Sequence, residues 1–201
     1  MTPERARLFV ALELPDPARE TLLAWRQSAL SDNRGWRPVS GAGLHLTLCF
    51  LGDQRIEEIA AIAQACAAGL SERDVRARDA PALAAPVLTV AAPLLLGPRR
   101  ARVLAVALKD PEQALAAVQG RLAHCLAEGG WYEPESRPYL PHVTLARARR
   151  GAQWPAGPAF PAPPALDFKP TTVSLLRSHL GGRRARYERL ATVALARRDR
   201  R

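Results

Sequence analysis

Two rhythms of apolar residues divide the chain into strands and helices. One alternates with polar positions and the other recurs every three or four residues. Arg7 to Leu14 (RLFVALEL) is an apolar run ended by Pro15 and reads as a strand. Asp16 is placed to cap a helix with Pro17 at its first position, and Leu22, Leu23 and Trp25 carry that helix to the region of Leu30. Gly35 to Ser40 is a short connection or strand, and Leu44 to Leu51 (LHLTLCFL) alternates strongly and reads as a strand. Asp53 is expected to cap a second helix, with Ile56, Ile59, Ile62, Ala63 and Cys66 at helical spacing. Within 73–108, LTVAAPLLLG and ARVLAVAL read as strands separated by a basic turn at Pro98-Arg99-Arg100. Asp110-Pro111 opens a third helix, through Leu115, Val118 and Leu122 to Gly129-Gly130. Tyr139 to Arg147 (YLPHVTLAR) alternates again. Residues 151–164, rich in Pro, Gly and Ala, read as a loop. Thr171 to Leu180 and Tyr187 to Leu195 form two closing strands joined across Gly181-Gly182. The last residues, 197–201, read as a frayed tail.

The order of these elements lacks the regular rhythm of a parallel βαβ sheet, and no Gly-rich phosphate loop is visible. The expected class is α+β, with largely antiparallel sheets and helices on their outer faces. At 201 residues and 48% apolar composition the chain can bury one core, so a single domain spanning 1–201 is expected. The N-terminal MTPERARLFVALEL turns charged again at Glu13 and Asp16, unlike a secretory signal. No apolar run approaches the roughly 20 residues that cross a bilayer, so no membrane partner is expected. Cys49, Cys66 and Cys125 are odd in number and form no CxxC pair, which fits a reduced, cytoplasmic protein with buried, apolar cysteines. No obligate protein partner is evident.

The formal net charge is +10, from 29 Lys and Arg against 19 Asp and Glu. Such a balance attracts phosphate-bearing partners. Almost all the basic residues are Arg in an Ala-rich chain, a pairing that biased base composition also produces. The charge gains weight only beside an independent phosphate-handling site.

Two segments supply that site. Leu44-His45-Leu46-Thr47-Leu48 and Pro141-His142-Val143-Thr144-Leu145 share a His-x-Thr core followed by an apolar residue, each inside a strand and one in each half of the chain. Side chains alternate across a strand, so each His shares a face with its Thr while Leu46, Leu48, Val143 and Leu145 point to the other face. If the strands lie side by side, four polar groups converge on one cleft between two similar lobes. That quartet suits phosphate esters. Displacement at phosphorus wants the entering and leaving oxygens in line. One imidazole can take a proton from the attacking water, and the other can give one to the departing oxygen. The Thr hydroxyls can donate to the non-bridging oxygens.

A lone His-x-Thr is usually structural, since polar pairs often sit across sheets. Two copies in different halves are a far rarer coincidence. His124 reads as a helix-surface residue, and His179, with no Thr two residues on, as at most a substrate contact. Zinc wants three or four Cys, His, Asp or Glu ligands. Only Cys49 lies close to His45, where strict alternation gives it the same face, and no HExxH helix occurs. No metal and no cofactor is expected.

At these residues the chain resembles the 2H phosphoesterase superfamily, and within it the RNA 2′,3′-cyclic phosphodiesterases, also called the 2′-5′ RNA ligase family. The likeness runs over nearly the whole chain. Arg7-Leu-Phe-Val-Ala-Leu resembles the first strand, Leu44 to Gly52 the first motif, Arg137 to Arg147 the second, and Leu175, Ser178, Tyr187 and Leu190 the closing hairpin. The resemblance implies two α+β lobes about a pseudo-two-fold axis and hydrolysis of a terminal RNA 2′,3′-cyclic phosphate to a 2′-phosphomonoester. It also implies that 2′-5′ linkages can be joined or cleaved in vitro. It casts His45 as proton donor and His142 as proton acceptor, roles that the residues alone leave open. The Gly- and Arg-rich stretch Gly181 to Arg186, and His179, depart from the family pattern.

Arg137 and Arg147 flank the second motif and are candidates to hold phosphates, with packing or ion pairing the competing role for each. Phe9 and Tyr187 are candidates to stack on a base, which is worth roughly 1–3 kcal/mol per base; core packing competes strongly for Phe9. The expected partner is RNA ending in a cyclic phosphate, tRNA fragments included. Two other readings stand beside it: a small cyclic nucleotide or ADP-ribose cyclic phosphate as substrate, and a non-catalytic RNA-binding module. Two imidazoles exceed what binding alone requires.

Overall fold

The computed structural model describes residues 3–71, 83–97, 101–151, 160–179 and 185–196. Among them, nine strands and three helices follow the order β1 (Arg5–Glu13), α1 (Asp16–Ala29), β2 (Trp36–Pro38), β3 (His45–Arg55), α2 (Ile59–Leu70), β4 (Leu88–Leu96), β5 (Val103–Lys109), α3 (Ala114–Glu128), β6 (His142–Ala148), β7 (Asp167–Phe168), β8 (Thr172–His179) and β9 (Arg186–Ala194). The strands pair antiparallel in the order β7-β4-β5-β6-β3-β1-β8-β9, with β2 also on β6. The expected α+β class with largely antiparallel strands is what the chain adopts.

The helices share one face of this sheet. Leu8, Val10 and Leu12 of β1, Leu46 and Leu48 of β3, and Val143 and Leu145 of β6 pack into one apolar cluster with Leu22 and Trp25 of α1, Ile62 and Cys66 of α2, and Leu115, Val118, Leu122 and Leu126 of α3. The helical residues recur at three- and four-residue steps, which aims one stripe of each helix at the sheet. Gly69 permits a close approach of α2 to α3, because a Cβ there would lie 3.2 Å from Cys125 Sγ. The opposite face of the sheet is left for the site. No helix among the described residues is long and apolar enough to cross a membrane.

Three element ends differ from expectation. Asp16 is the first helical residue and pairs with Arg19, so it does not cap α1. Asp53 lies inside β3, which pairs with β1 out to Arg55, and a short 3₁₀ turn at Ile56–Glu58 precedes α2. Strand pairing here prevails over a capping signal. The third helix starts at Ala114, after Gln113 at φ 55°, and the Asp110 carboxylate accepts from the Ala116 N–H at 2.9 Å. The basic turn 98–100, the Gly181-Gly182 junction, most of the 151–164 loop and the tail 197–201 lie outside the described residues.

Candidate active site

His45 and His142 each open a strand, and the two strands are neighbours. β3 and β6 are joined by one register pair, Leu46 with Val143. In antiparallel pairing this sets His45 across from Thr144, and Thr47 across from His142. The two His-x-Thr motifs therefore interleave, each imidazole facing the other motif's hydroxyl. All four side chains are half-buried. Beyond Val143, β2 takes over the same edge of β6, pairing Trp36 with Ala148 and Arg37 with Arg147. The strands part there and the cleft opens.

The two imidazoles are held alike. His45 Nδ1 lies 2.8 Å from the Gly43 carbonyl oxygen, and His142 Nδ1 lies 2.8 Å from that of Leu140. A carbonyl only accepts, so Nδ1 carries the hydrogen in both rings. Nε2 is then the nitrogen free to trade a proton. Gly43 also sits in a tight place, since a Cβ there would lie 2.8 Å from Ser40 Oγ and 3.2 Å from the Tyr187 ring.

The motifs share a second device. Val10 pairs with Cys49 and Ala11 with Thr47, which leaves Leu48 as an extra residue in β3. Leu104 pairs with Ala146 and Ala105 with Thr144, which leaves Leu145 as an extra residue in β6. A bulge inverts the parity of the side chains that follow it, in β3 until a second shift leaves Leu51 extra between Phe50 and Gly52. Cys49 consequently turns into the core, 1% exposed, rather than sharing the face of His45 as alternation predicts. Phe50 and Arg147, each five residues after a motif histidine, turn to the cleft instead. Burial pushes the Cys49 thiol up to about 12, so it is neither nucleophile nor ready ligand.

Burial lowers the His45 pKa to about 4; the bond to Gly43 opposes this, and the positive charges of Arg147 and His142 add to it. His45 is thus neutral near pH 7 in the free protein.

The cleft holds about 930 Å³ and is lined by all four motif residues. Arg7, Arg37, Arg137 and Arg147 edge it with positive charge. Of the residues expected from sequence, Arg137 and Arg147 are exposed on its wall, and Tyr187 meets both Phe9 and His45 edge-on, with ring centroids 5.2 Å away in each case. Phe9 is 2% exposed beneath Phe50, Tyr187 and His45, so it is cleft floor more than open platform. His179 instead pairs with Glu188 at 2.7 Å, and His124 pairs with Glu128 on the helix surface. Arg7, Arg37, Phe50 and Tyr139 also line the cleft, and the sequence did not single them out for it. Phe50 was hidden by the bulge, and Arg37 by the unpredicted β2–β6 pairing. Among the described residues no three His, Cys, Asp or Glu side chains gather as a metal-ligand set.

Comparison with known proteins gives a consistent picture. The family model of the 2′-5′ RNA ligase superfamily matches residues 14–182. The RNA 2′,3′-cyclic phosphodiesterase of Escherichia coli (strain K12) is 30% identical over 192 residues, covering 96% of this chain and 98% of that protein. The E. coli LigT crystal structure in apo form has a TM-score of 0.71 at 28% identity and covers 96% of this chain and 99% of its own; LigT complexed with 3′-AMP matches equally well, covering 96% and 100%. TT0787 of Thermus thermophilus has a TM-score of 0.75 at 25% identity, covering 94% of this chain and 97% of its own.

Proposed function

Because the chain belongs to the 2′-5′ RNA ligase superfamily of 2H phosphoesterases, we propose that it hydrolyses a terminal RNA 2′,3′-cyclic phosphate to a 2′-phosphomonoester. His45, His142, Thr47 and Thr144 carry the reaction. The observation that supports this most is the interleaved register, which sets an imidazole and a hydroxyl on each side of one point in the cleft.

His142 Nε2 takes a proton from water as the water oxygen bonds to phosphorus. The bond from phosphorus to the 3′ oxygen breaks in line, and His45 Nε2 gives that oxygen its proton. Thr47 and Thr144 donate to the non-bridging oxygens. This casting of donor and acceptor follows the family resemblance. His45 is neutral in the free protein, so as donor it must take up its proton with the substrate, whose phosphate charge beside it raises its pKa. The proton given to the 3′ oxygen leaves with the product; His142 releases its proton to solvent, and His45 takes up a new one with the next substrate.

The four cleft arginines favour an RNA end over a small nucleotide, since a chain offers upstream phosphates for them to neutralise. The 3′-AMP bound in E. coli LigT supports a ribonucleotide at the centre. Phe50, stacked near-parallel on Phe9 under the Arg7 guanidinium, and Tyr187 border the place for a base. The free cysteines suit a reducing, cytoplasmic setting. The test is a comparison of kcat/KM on 2′,3′-cyclic AMP and on a short RNA with a cyclic phosphate end. The RNA is the better substrate, by tenfold or more at low salt, in about the manner expected for phosphate neutralisation. Equal rates on both would favour a small cyclic nucleotide.

A further inference from the structure

Tyr139 donates its phenolic hydrogen to the Thr47 carbonyl oxygen at 2.8 Å. Thr47 stands one residue past the Leu46–Val143 pair, where the β3–β6 ladder has already ended. The hydroxyl therefore supplies the hydrogen that a neighbouring strand would otherwise give, and a half-buried carbonyl needs such a partner to hold its place. The residues that follow continue the same clamp. Leu140 offers its carbonyl to His142 Nδ1 at 2.8 Å, and Pro141 accepts the Leu108 N–H at 2.9 Å. Three consecutive residues thus tie the first motif, the second histidine and β5 together.

We propose that Tyr139 is a positioning residue for the hydrolysis, its hydroxyl holding Thr47 of the first motif in register with His142 of the second. It acts through the backbone of Thr47. Burial raises its pKa and so keeps the phenol protonated, a donor throughout the working range. A phenylalanine would fill the same space without donating, so the hydroxyl is separable from the packing. The inference rests on the proposed role of Thr47 in holding a non-bridging oxygen.

The test uses Tyr139→Phe, Thr47→Ala and the double variant on 2′,3′-cyclic AMP, with folding checked by circular dichroism. Tyr139→Phe is expected to lower kcat by about tenfold or more with KM within about twofold, as small misplacements of reacting groups do. Its effect shrinks below about twofold in the Thr47→Ala background, because the two act as one unit. Should the Phe variant not fold, Tyr139→Met repeats the test with a flexible side chain. A lowered melting temperature with kcat and KM unchanged would make Tyr139 merely structural and overturn the proposal. Fully multiplicative effects in the double variant would overturn it too. No turnover by the wild type is a different result: it refutes the hydrolase reading, and this inference falls with it.

Discussion

Leu46 pairs with Val143, and this register match between two apolar residues aligns the whole polar quartet. Both side chains are buried in the core shared with the helices. Their neighbours on either side, His45 and Thr47, His142 and Thr144, face the other way by the alternation of a strand. The core thus fixes the site: sliding either strand by one residue would expose Leu46 or Val143 and bury an imidazole.

Removing either imidazole should stop turnover without unfolding the chain. His45→Ala and His142→Ala are each expected to lower kcat by about 10²–10⁴-fold. Thr47→Ala and Thr144→Ala lose less, about tenfold each, since each removes one hydrogen bond to a charged phosphate oxygen but leaves both proton-transfer groups in place. Steady-state rates on 2′,3′-cyclic AMP measure this. A folded His variant that keeps a few tenths of wild-type kcat would remove that residue from the mechanism.

The pH dependence follows from the depressed pKa of His45. Burial first, with Arg147 and His142 assisting, holds it at about 4 against the bond to Gly43. A lowered pKa means that the neutral form persists, so the doubly protonated cleft, which lacks a base, accumulates only as the pH falls through about 4. The kcat/KM profile is bell-shaped, and its acid limb lies below about pH 5 instead of near the ordinary histidine value of about 6.5. Both limbs belong to the coupled pair. At saturation the phosphate charge raises His45, so the acid limb of kcat moves upward. An acid limb of kcat/KM at the ordinary histidine value would contradict this electrostatic account.

Excess EDTA should leave the rate unchanged. Acid, base and oxygen-binding groups are all assigned to side chains, and no three ligand-type residues gather among the described residues. Rates before and after chelation, with Mg²⁺, Mn²⁺ or Zn²⁺ added back, decide it. Loss on chelation with recovery by one ion would overturn the scheme.

Much of this was legible in the chain because alternation is a local signal. The strands around Leu46 and Val143, the apolar stripes of the helices and the paired His-x-Thr segments all follow from spacing. The facing of residues beyond each threonine was not legible. Leu48 and Leu145 look like ordinary members of their strands, and nothing local marks them as bulges. Their extra residue sends Cys49 inward and brings Phe50 and Arg147 out. Asp53 misled for a related reason: an Asp before an apolar, helix-spaced run signals a cap, but β1 offers partners that hold the strand through Arg55. Tyr139 was hidden because its partner, the Thr47 carbonyl, belongs to a strand distant in sequence.

The most direct measurement is the identity of the product. The cleft is built from two nearly equivalent motifs, so only unlike surroundings, such as Phe50 on one side and Arg147 on the other, can make it choose between the two ring oxygens. Hydrolysis of 2′,3′-cyclic AMP, with 2′-AMP separated from 3′-AMP by chromatography, reads that choice. With His45 beside the 3′ oxygen, the wild type yields mainly 2′-AMP, and His45→Ala and His142→Ala yield almost none of either. Mainly 3′-AMP would contradict the assigned orientation, and undiminished product from either histidine variant would contradict the two-histidine mechanism itself.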